Sequence, residues 1–284
     1  MYTQVIGKLR LALSPFEPQW ANVPLYATAR GLSTSPMPIG VRTLEGEFDF
    51  FDNVVVLRSS DGGIERRILG GSVAEFYGDV MRALERLDIA LTLSVMPSEV
   101  PDPIPFPADR THHTYDPAQA RRFWQVLAMI DSVFREHRAG FFGKTPPVSF
   151  FWGTFDLAVI RSSTRRVRPG AGAGFIERFG GTAEQICGGW WPGDATYPDP
   201  AFYAYAWPKP AGVEHASIRP KGAAWNTTIR EFLLPYAVVQ ASADPRAAIL
   251  EFLRSTYEVG AKMLGWPSDL TTIEAPDRPH TKVP

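Results

Sequence analysis

The chain is 284 residues long, 45% hydrophobic and 21% charged, with a formal net charge of -1. That composition excludes intrinsic disorder and gives no general attraction to nucleic acid or to an anionic membrane. One cysteine, Cys187, rules out an intramolecular disulfide and fits a reducing compartment. No apolar run approaches the ~20 residues of a membrane span, and the first eight residues carry no apolar signal core, so a soluble cytoplasmic protein is expected.

Residues 2–13 place Val5, Leu9 and Leu13 at helical spacing, and Pro15 stops them. A strand is expected over 23–31, then a turn-rich stretch over 33–40. Residues 43–51 and 54–59 form a hairpin across Asp52-Asn53. The turn Asp61-Gly62-Gly63 leads into a strand over 64–69. Ser72 and Glu75 make a capping box, each side chain satisfying an orphan backbone donor, and open a helix to about Leu87. A short strand is expected over 89–95, and the proline-rich residues 97–115 serve as a connector. Asp116-Pro117, an N-cap followed by proline at the first helical position, opens a long helix with Phe123, Leu127, Ile130 and Phe134 on one stripe. Residues 148–161 are dense in aromatic and β-branched side chains and read as one long strand. Further strands are expected over 182–191, 202–207 and 231–239. Asp244-Pro245 caps a last helix to about Leu264, with Ile249, Phe252, Val259 and Met263 on its stripe.

These elements predict an α+β fold with a single domain over 1–266. It divides into two helix–four-strand–helix halves, 1–96 and 116–266, with the connector 97–115 between them and a polar tail over 267–284. Residues 23–32 line up without gaps against 148–157, which points to an internal duplication. Chance recurrence of common elements is the alternative. Duplicated halves would bring two antiparallel sheets edge to edge or face to face, with helices covering one side, and pockets form where such halves meet. Residues 163–181 and 208–228 are irregular and flank the aromatic strands, as lids do.

Alternation along 148–161 places Phe150, Trp152, Thr154, Asp156 and Ala158 on one face. A carboxylate desolvated among aromatics has a raised pKa and suits a general acid or base. The alternative for Asp156 is a buried residue held by a threonine hydroxyl or a backbone amide. Glu184 and Cys187 are further catalytic candidates, on opposite faces of their strand because they are three residues apart. His112 is a candidate solitary proton-transfer group, but Asp109, His112 and Asp116 lack a metal-binding spacing, so no metal is expected. Trp152, Thr154, Trp190, Trp191, Tyr203 and Tyr205 are expected to line an apolar cavity with a few polar tips. Glu258, on the last helix, is a further substrate-binding candidate. The glycine-containing strings at 143–145 and 170–174 lack phosphate-loop and dinucleotide spacing, so no cofactor is expected.

Several separated strings are familiar together: Val23-Pro-Leu-Tyr, Ala29-Arg-Gly-Leu, Glu99-Val-Pro-Asp-Pro-Ile-Pro-Phe, Arg122-Phe-Trp, Phe150-Phe-Trp-Gly, Phe155-Asp-Leu-Ala, Phe202-Tyr-Ala-Tyr, Phe232-Leu-Leu-Pro-Tyr and Ser255-Thr-Tyr-Glu. Over nearly its whole length the chain resembles the bacterial family labelled domain of unknown function 5996. The resemblance implies one intact domain and supplies no mechanism. Ser149 stands where relatives carry a histidine after the Pro-Val pair, Asn226 where a histidine is frequent, and Ala237 where an acid follows the Pro-Tyr pair. Histidine chemistry inherited from such relatives is therefore not expected.

The expected function is a cofactor-independent enzyme acting on a largely apolar or aromatic small molecule, by isomerisation, elimination, cyclisation or hydrolysis. Asp156 is the expected acid–base group. A non-catalytic small-molecule binder using the same cavity is the second reading, and a metal-dependent enzyme the third. Neither nucleic acid nor membrane is an expected partner.

Overall fold

The computed structural model describes residues 1–271. The first half runs α1 (Tyr2–Leu13), β1 (Tyr26–Ala27), β2 (Gly31–Ser33), β3 (Met37–Ile39), β4 (Arg42–Asp49), β5 (Val54–Ser59), β6 (Ile64–Ile68) and α2 (Val73–Arg86). The second begins with α3 (Pro117–Ala139), β7 (Ser149–Phe151), β8 (Asp156–Arg166) and the short α4 (Phe175–Gly180). It continues through β9 (Ala183–Trp191), β10 (Ala201–Trp207), β11 (Ala224–Asn226) and β12 (Glu231–Pro235) to α5 (Tyr236–Gln240) and α6 (Pro245–Leu264). The capping box of Ser72 and Glu75 is present in both directions, and Asp116 and Asp244 cap α3 and α6 through their side chains.

The fold is mixed helix and strand with two antiparallel sheets, as the element order predicts. The sheets run β1-β2-β4-β5-β6, with β3 on the edge of β4, and β11-β12-β10-β9-β8-β7. Among the described residues each half thus holds six strands in place of the expected four. The stretch 23–31 splits between the paired β1 and β2, and the turn-rich 33–40 contains β3. Residues 89–95 form no strand; Ile89 and Leu93 reach the core from irregular backbone. Beyond Pro235 the expected strand over 231–239 turns into α5. Ile249 and Phe252 are fully buried on α6, whereas Met263 is 39% exposed and falls off the stripe.

The largest departure lies in 148–161, which is a hairpin and not one strand. Phe151 pairs with Asp156, and residues 152–155 form a turn closed by Phe155 N donating to Phe151 O at 2.8 Å. Phe155 adopts φ 63°, a left-handed conformation that costs a non-glycine residue about 1–2 kcal/mol. Its ring stacks on Phe123 at 5.0 Å and meets Phe150 edge-on at 5.1 Å. Aromatic pairs contribute ~0.5–1.5 kcal/mol each beyond area burial, so tertiary contacts offset the local preference for continued strand.

The two sheets meet edge to edge. Leu25 and Phe150 exchange both backbone hydrogen bonds, at 2.9 and 2.8 Å. These two residues are equivalent in the ungapped alignment of 23–32 with 148–157, so each half presents the same position to the other, as a local twofold relation requires. The first helix of each half also reaches the hairpin turn of the other. Gln4 Nε2 donates to Trp152 O at 3.3 Å, and Trp124 Nε1 donates to Thr28 O at 3.1 Å. Gly7 allows that approach, since a Cβ there would stand 2.3 Å from the Trp152 ring. One core cluster runs through both halves, from Val5, Phe48 and Phe76 to Phe150, Phe202 and Phe252.

Helices pack on one side, α3 on β8, α6 on β9 and β10, α1 on β3 and α2 on β6. Among the described residues no helix is long and apolar enough to cross a membrane. The described chain continues past Trp266, which is buried against Phe141 and Tyr257, and Leu270 O accepts from Phe142 N at 2.9 Å. The expected tail over 267–284 lies outside the described residues from 272 onward.

Candidate functional site

β8, β9, β10 and β12 lie side by side, and strand alternation sorts their side chains onto two faces. Leu157, Trp190, Phe202 and Leu234, matched across the ladders, face α3 and α6. Asp156, Ala158, Cys187, Tyr203, Tyr205 and Glu231 take the other face and line a cavity of about 850 Å³. Its remaining walls come from distant parts of the chain: Leu11 of α1, Gln19 and Trp20 beyond it, Glu99 of the connector, and Phe175 of α4.

At its floor Asp156 is buried and accepts hydrogen bonds from Thr154 Oγ1 on one oxygen and from Tyr203 OH on the other. Tyr203 is on β10 and Asp156 on β8, so the phenol must cross β9. Gly189, paired with Tyr203 on one side and Ala158 on the other, provides the crossing. A Cβ at Gly189 would lie 2.2 Å from the Tyr203 ring. Gly189→Ala is therefore expected to cost about 1–3 kcal/mol by overpacking. In a Tyr203→Ala background the same methyl should cost almost nothing, an interaction that urea unfolding of the double-mutant cycle measures.

Burial pushes the Asp156 carboxyl up, while the Thr154 and Tyr203 hydrogen bonds pull it partly back. Burial and then the neighbouring Asp156 raise Glu231 to about 7. The same two causes push up Glu99, whose side chain is exposed at the cavity mouth. Tyr203 and Tyr205 are driven well above the ordinary phenol value by burial, with Asp156 next for Tyr203 and Cys187 next for Tyr205. Burial and Asp156 also raise the Cys187 thiol, so it stays protonated and carries no nucleophilic thiolate at neutral pH.

Of the residues singled out from the sequence, Asp156, Cys187, Trp152, Thr154, Trp191, Tyr203 and Tyr205 meet at this cavity. Four do not reach it. Trp190 faces the helices and packs against Phe123 and Tyr236, each at 5.9 Å, because alternation turns it away from Trp191. Glu184 accepts from Trp266 Nε1 at 2.7 Å and pairs with Arg165 at 2.9 Å. His112 sits beside α2 with Nδ1 2.8 Å from Asp109 Oδ2. Glu258 pairs with Arg219 at 3.2 Å on an exposed surface.

Glu231, Glu99 and Gln185 line the cavity as well. Glu231 was legible: it precedes Phe232-Leu-Leu on an expected strand, and alternation opposes it to Phe232 and Leu234. Gln185 shares its face with Cys187 by the same rule. Glu99, in the connector, carries no such signal. Ser149 donates to Pro147 O at 2.8 Å, Asn226 Oδ1 accepts from the amides of Thr228 and Ile229, and Ala237 lies in α5. Among the described residues no three histidine, cysteine, aspartate or glutamate side chains come together as a metal site.

No curated protein and no solved structure matches the chain at a significant level. A family model does, the family of unknown function DUF5996, over residues 1–273. The chain belongs to that family.

Proposed function

We propose that this DUF5996 member is a cofactor-independent enzyme of the cytoplasm that performs acid–base chemistry on a largely apolar small molecule. The observation that carries the reading is one cavity in which two desolvated carboxyls, the buried Asp156 and the half-buried Glu231, stand in different environments among aromatic walls. Pairs of titratable groups whose surroundings set them apart mark acid and base roles. Glu231, raised to about 7, exchanges a proton with bound substrate near neutral pH. Asp156, held by Thr154 and Tyr203, fixes the phenol and supplies the negative charge that keeps Glu231 protonated longer. Such a pair serves isomerisation, elimination, cyclisation or hydrolysis.

A non-catalytic binder is favoured by one observation: both Asp156 oxygens already accept hydrogen bonds within the protein. Incubating wild type and Asp156→Asn with a bacterial small-molecule extract, followed by mass spectrometry, separates the two. An enzyme consumes one compound and forms another, and the variant slows this by ~10²–10⁴-fold with its circular dichroism unchanged. A compound retained unaltered by both proteins would establish the binder instead.

A further inference from the structure

Among the described residues, the cavity walls combine acid and aromatic surface without a single basic side chain. Glu99, Asp156, Glu177, Asp194 and Glu231 contribute carboxyls, and no lysine, arginine or histidine is among the residues lining it. The neighbouring lysines are committed elsewhere, and Arg230 lines the smaller cavity that shares Glu231 without forming an ion pair with it among the described residues. Lys8, packed on Trp152 at 5.7 Å, donates to Ser98 Oγ at 2.8 Å. Lys144 donates to Gln19 Oε1 at 2.9 Å, and Lys209, beside the smaller cavity that shares Glu231, pairs with Glu214 at 3.2 Å. Asp194 is spent on a turn, accepting from the amides of Thr196 and Tyr197. Glu231 has no basic partner among the described residues, and its neighbour in charge is another acid, Asp156.

A second, independent feature points the same way. Gln185 is only 6% exposed, lines the cavity, and leaves Oε1 without a hydrogen-bond partner. A buried acceptor left unmet is costly unless a ligand supplies a donor. Aromatic faces carry a negative quadrupole and attract cations. Trp191 meets Tyr203 at 5.6 Å and 67°, and Tyr203 stacks parallel to Tyr205 at 6.4 Å and 7°. Trp152 and Trp207 add further rings to the walls. An anionic ligand would find like charges and no compensating donor fork; a neutral one would leave Asp156 and Glu231 without a countercharge.

We infer that the ligand of this cavity is an organic cation, a protonated amine or quaternary ammonium carried on an apolar or aromatic body. The ammonium sits between the carboxyls of Asp156 and Glu231 and the rings of Trp191, Tyr203 and Tyr205, and gives a proton donor to Gln185 where it carries one. This rests on the cavity being the working site proposed above and adds the chemical class of what enters it.

Three water-soluble probes of one shape isolate the charge: 2-phenylethylammonium, 2-phenylethanol and 3-phenylpropanoate. Isothermal titration calorimetry at pH 7.5 is expected to show the ammonium binding about tenfold or more tightly than the alcohol, with the propanoate weakest. Glu231→Gln and Asp156→Asn keep side-chain volume, and each should weaken the ammonium at least about fivefold while leaving the alcohol unchanged. Equal affinities, or a preference for the propanoate, would overturn the cation assignment and leave the cavity as an apolar site. Ammonium binding indifferent to both substitutions and to Trp191→Ala would place it elsewhere and also overturn the assignment. Binding of none of the three probes would remove the cavity reading together with it.

Discussion

Glu231→Gln is expected to make the protein more stable and less active at once. In the folded chain this carboxyl titrates near 7 against an ordinary value of 4.5, because burial and then Asp156 disfavour its charge. The folded state therefore holds a proton that the unfolded state has released between those two values. Stability contributed by that proton is full below about 4.5, declines as pH rises, and is lost above about 7. A difference of this size corresponds to roughly 3 kcal/mol, on the order of a quarter to a half of a typical domain's stability. Glutamine has the volume of the protonated acid and no charge to bury. Urea unfolding should show the variant more stable by up to about 3 kcal/mol at pH 8 and equal to wild type at pH 4. His137, whose pKa is held well below its ordinary value by burial and by Arg161, is present in both proteins and cancels in the difference. Turnover, where Glu231 exchanges the proton, should fall by ~10²–10⁴-fold. A stabilising substitution that removes activity is the signature of a group kept in place at a cost to folding.

Phe150→Ala should have the largest effect on the fold. The side chain is fully buried, packs against Phe123 and Phe155, and belongs to the residue that joins the two sheets at Leu25. Truncating a buried phenylalanine costs about 3–5 kcal/mol, from lost transfer free energy plus the cavity left behind. Here the cavity opens at the seam between the halves, next to the turn that carries Thr154 and Phe155. Phe150→Leu, which refills most of the volume, should recover more than half of the loss. If urea unfolding shows Phe150→Ala within 1 kcal/mol of wild type, the seam does not contribute as its burial implies.

Much of this was legible in the sequence, for physical reasons that differ from element to element. Helix starts were marked by Ser72 with Glu75, Asp116-Pro117 and Asp244-Pro245, because orphan amides need side-chain acceptors and the chemistry is local. Strand alternation puts Tyr203 and Tyr205 together on the cavity face and turns Trp190 away from Trp191, so the expectation that both tryptophans line the cavity fails for Trp190. The hairpin at 152–155 was not legible. Its left-handed Phe155 is held by Phe123 and Phe150, contacts that no local pattern encodes. Asp156 and Ala158 share a face as expected, whereas Trp152 and Thr154 reach the cavity from a turn. Glu99 enters from the connector only because α1 and Ser98 place it there, through Gln4 and Lys8. His112, Glu184 and Glu258 carry chemistry that the sequence shows but no signal of where it points, and each is paired away from the cavity.

The account depends above all on the protonation of Glu231, and carboxyl ¹³C NMR reads that directly. Comparing spectra of uniformly labelled wild type and Glu231→Gln across pH 3–9 identifies the resonance that disappears in the variant. Its midpoint in wild type is expected at about 7, and adding 2-phenylethylammonium should lower it, since a bound cation favours the ionised acid. A midpoint near the ordinary 4.5 would contradict the account, leaving Glu231 an ionised wall residue with no proton to exchange at neutral pH.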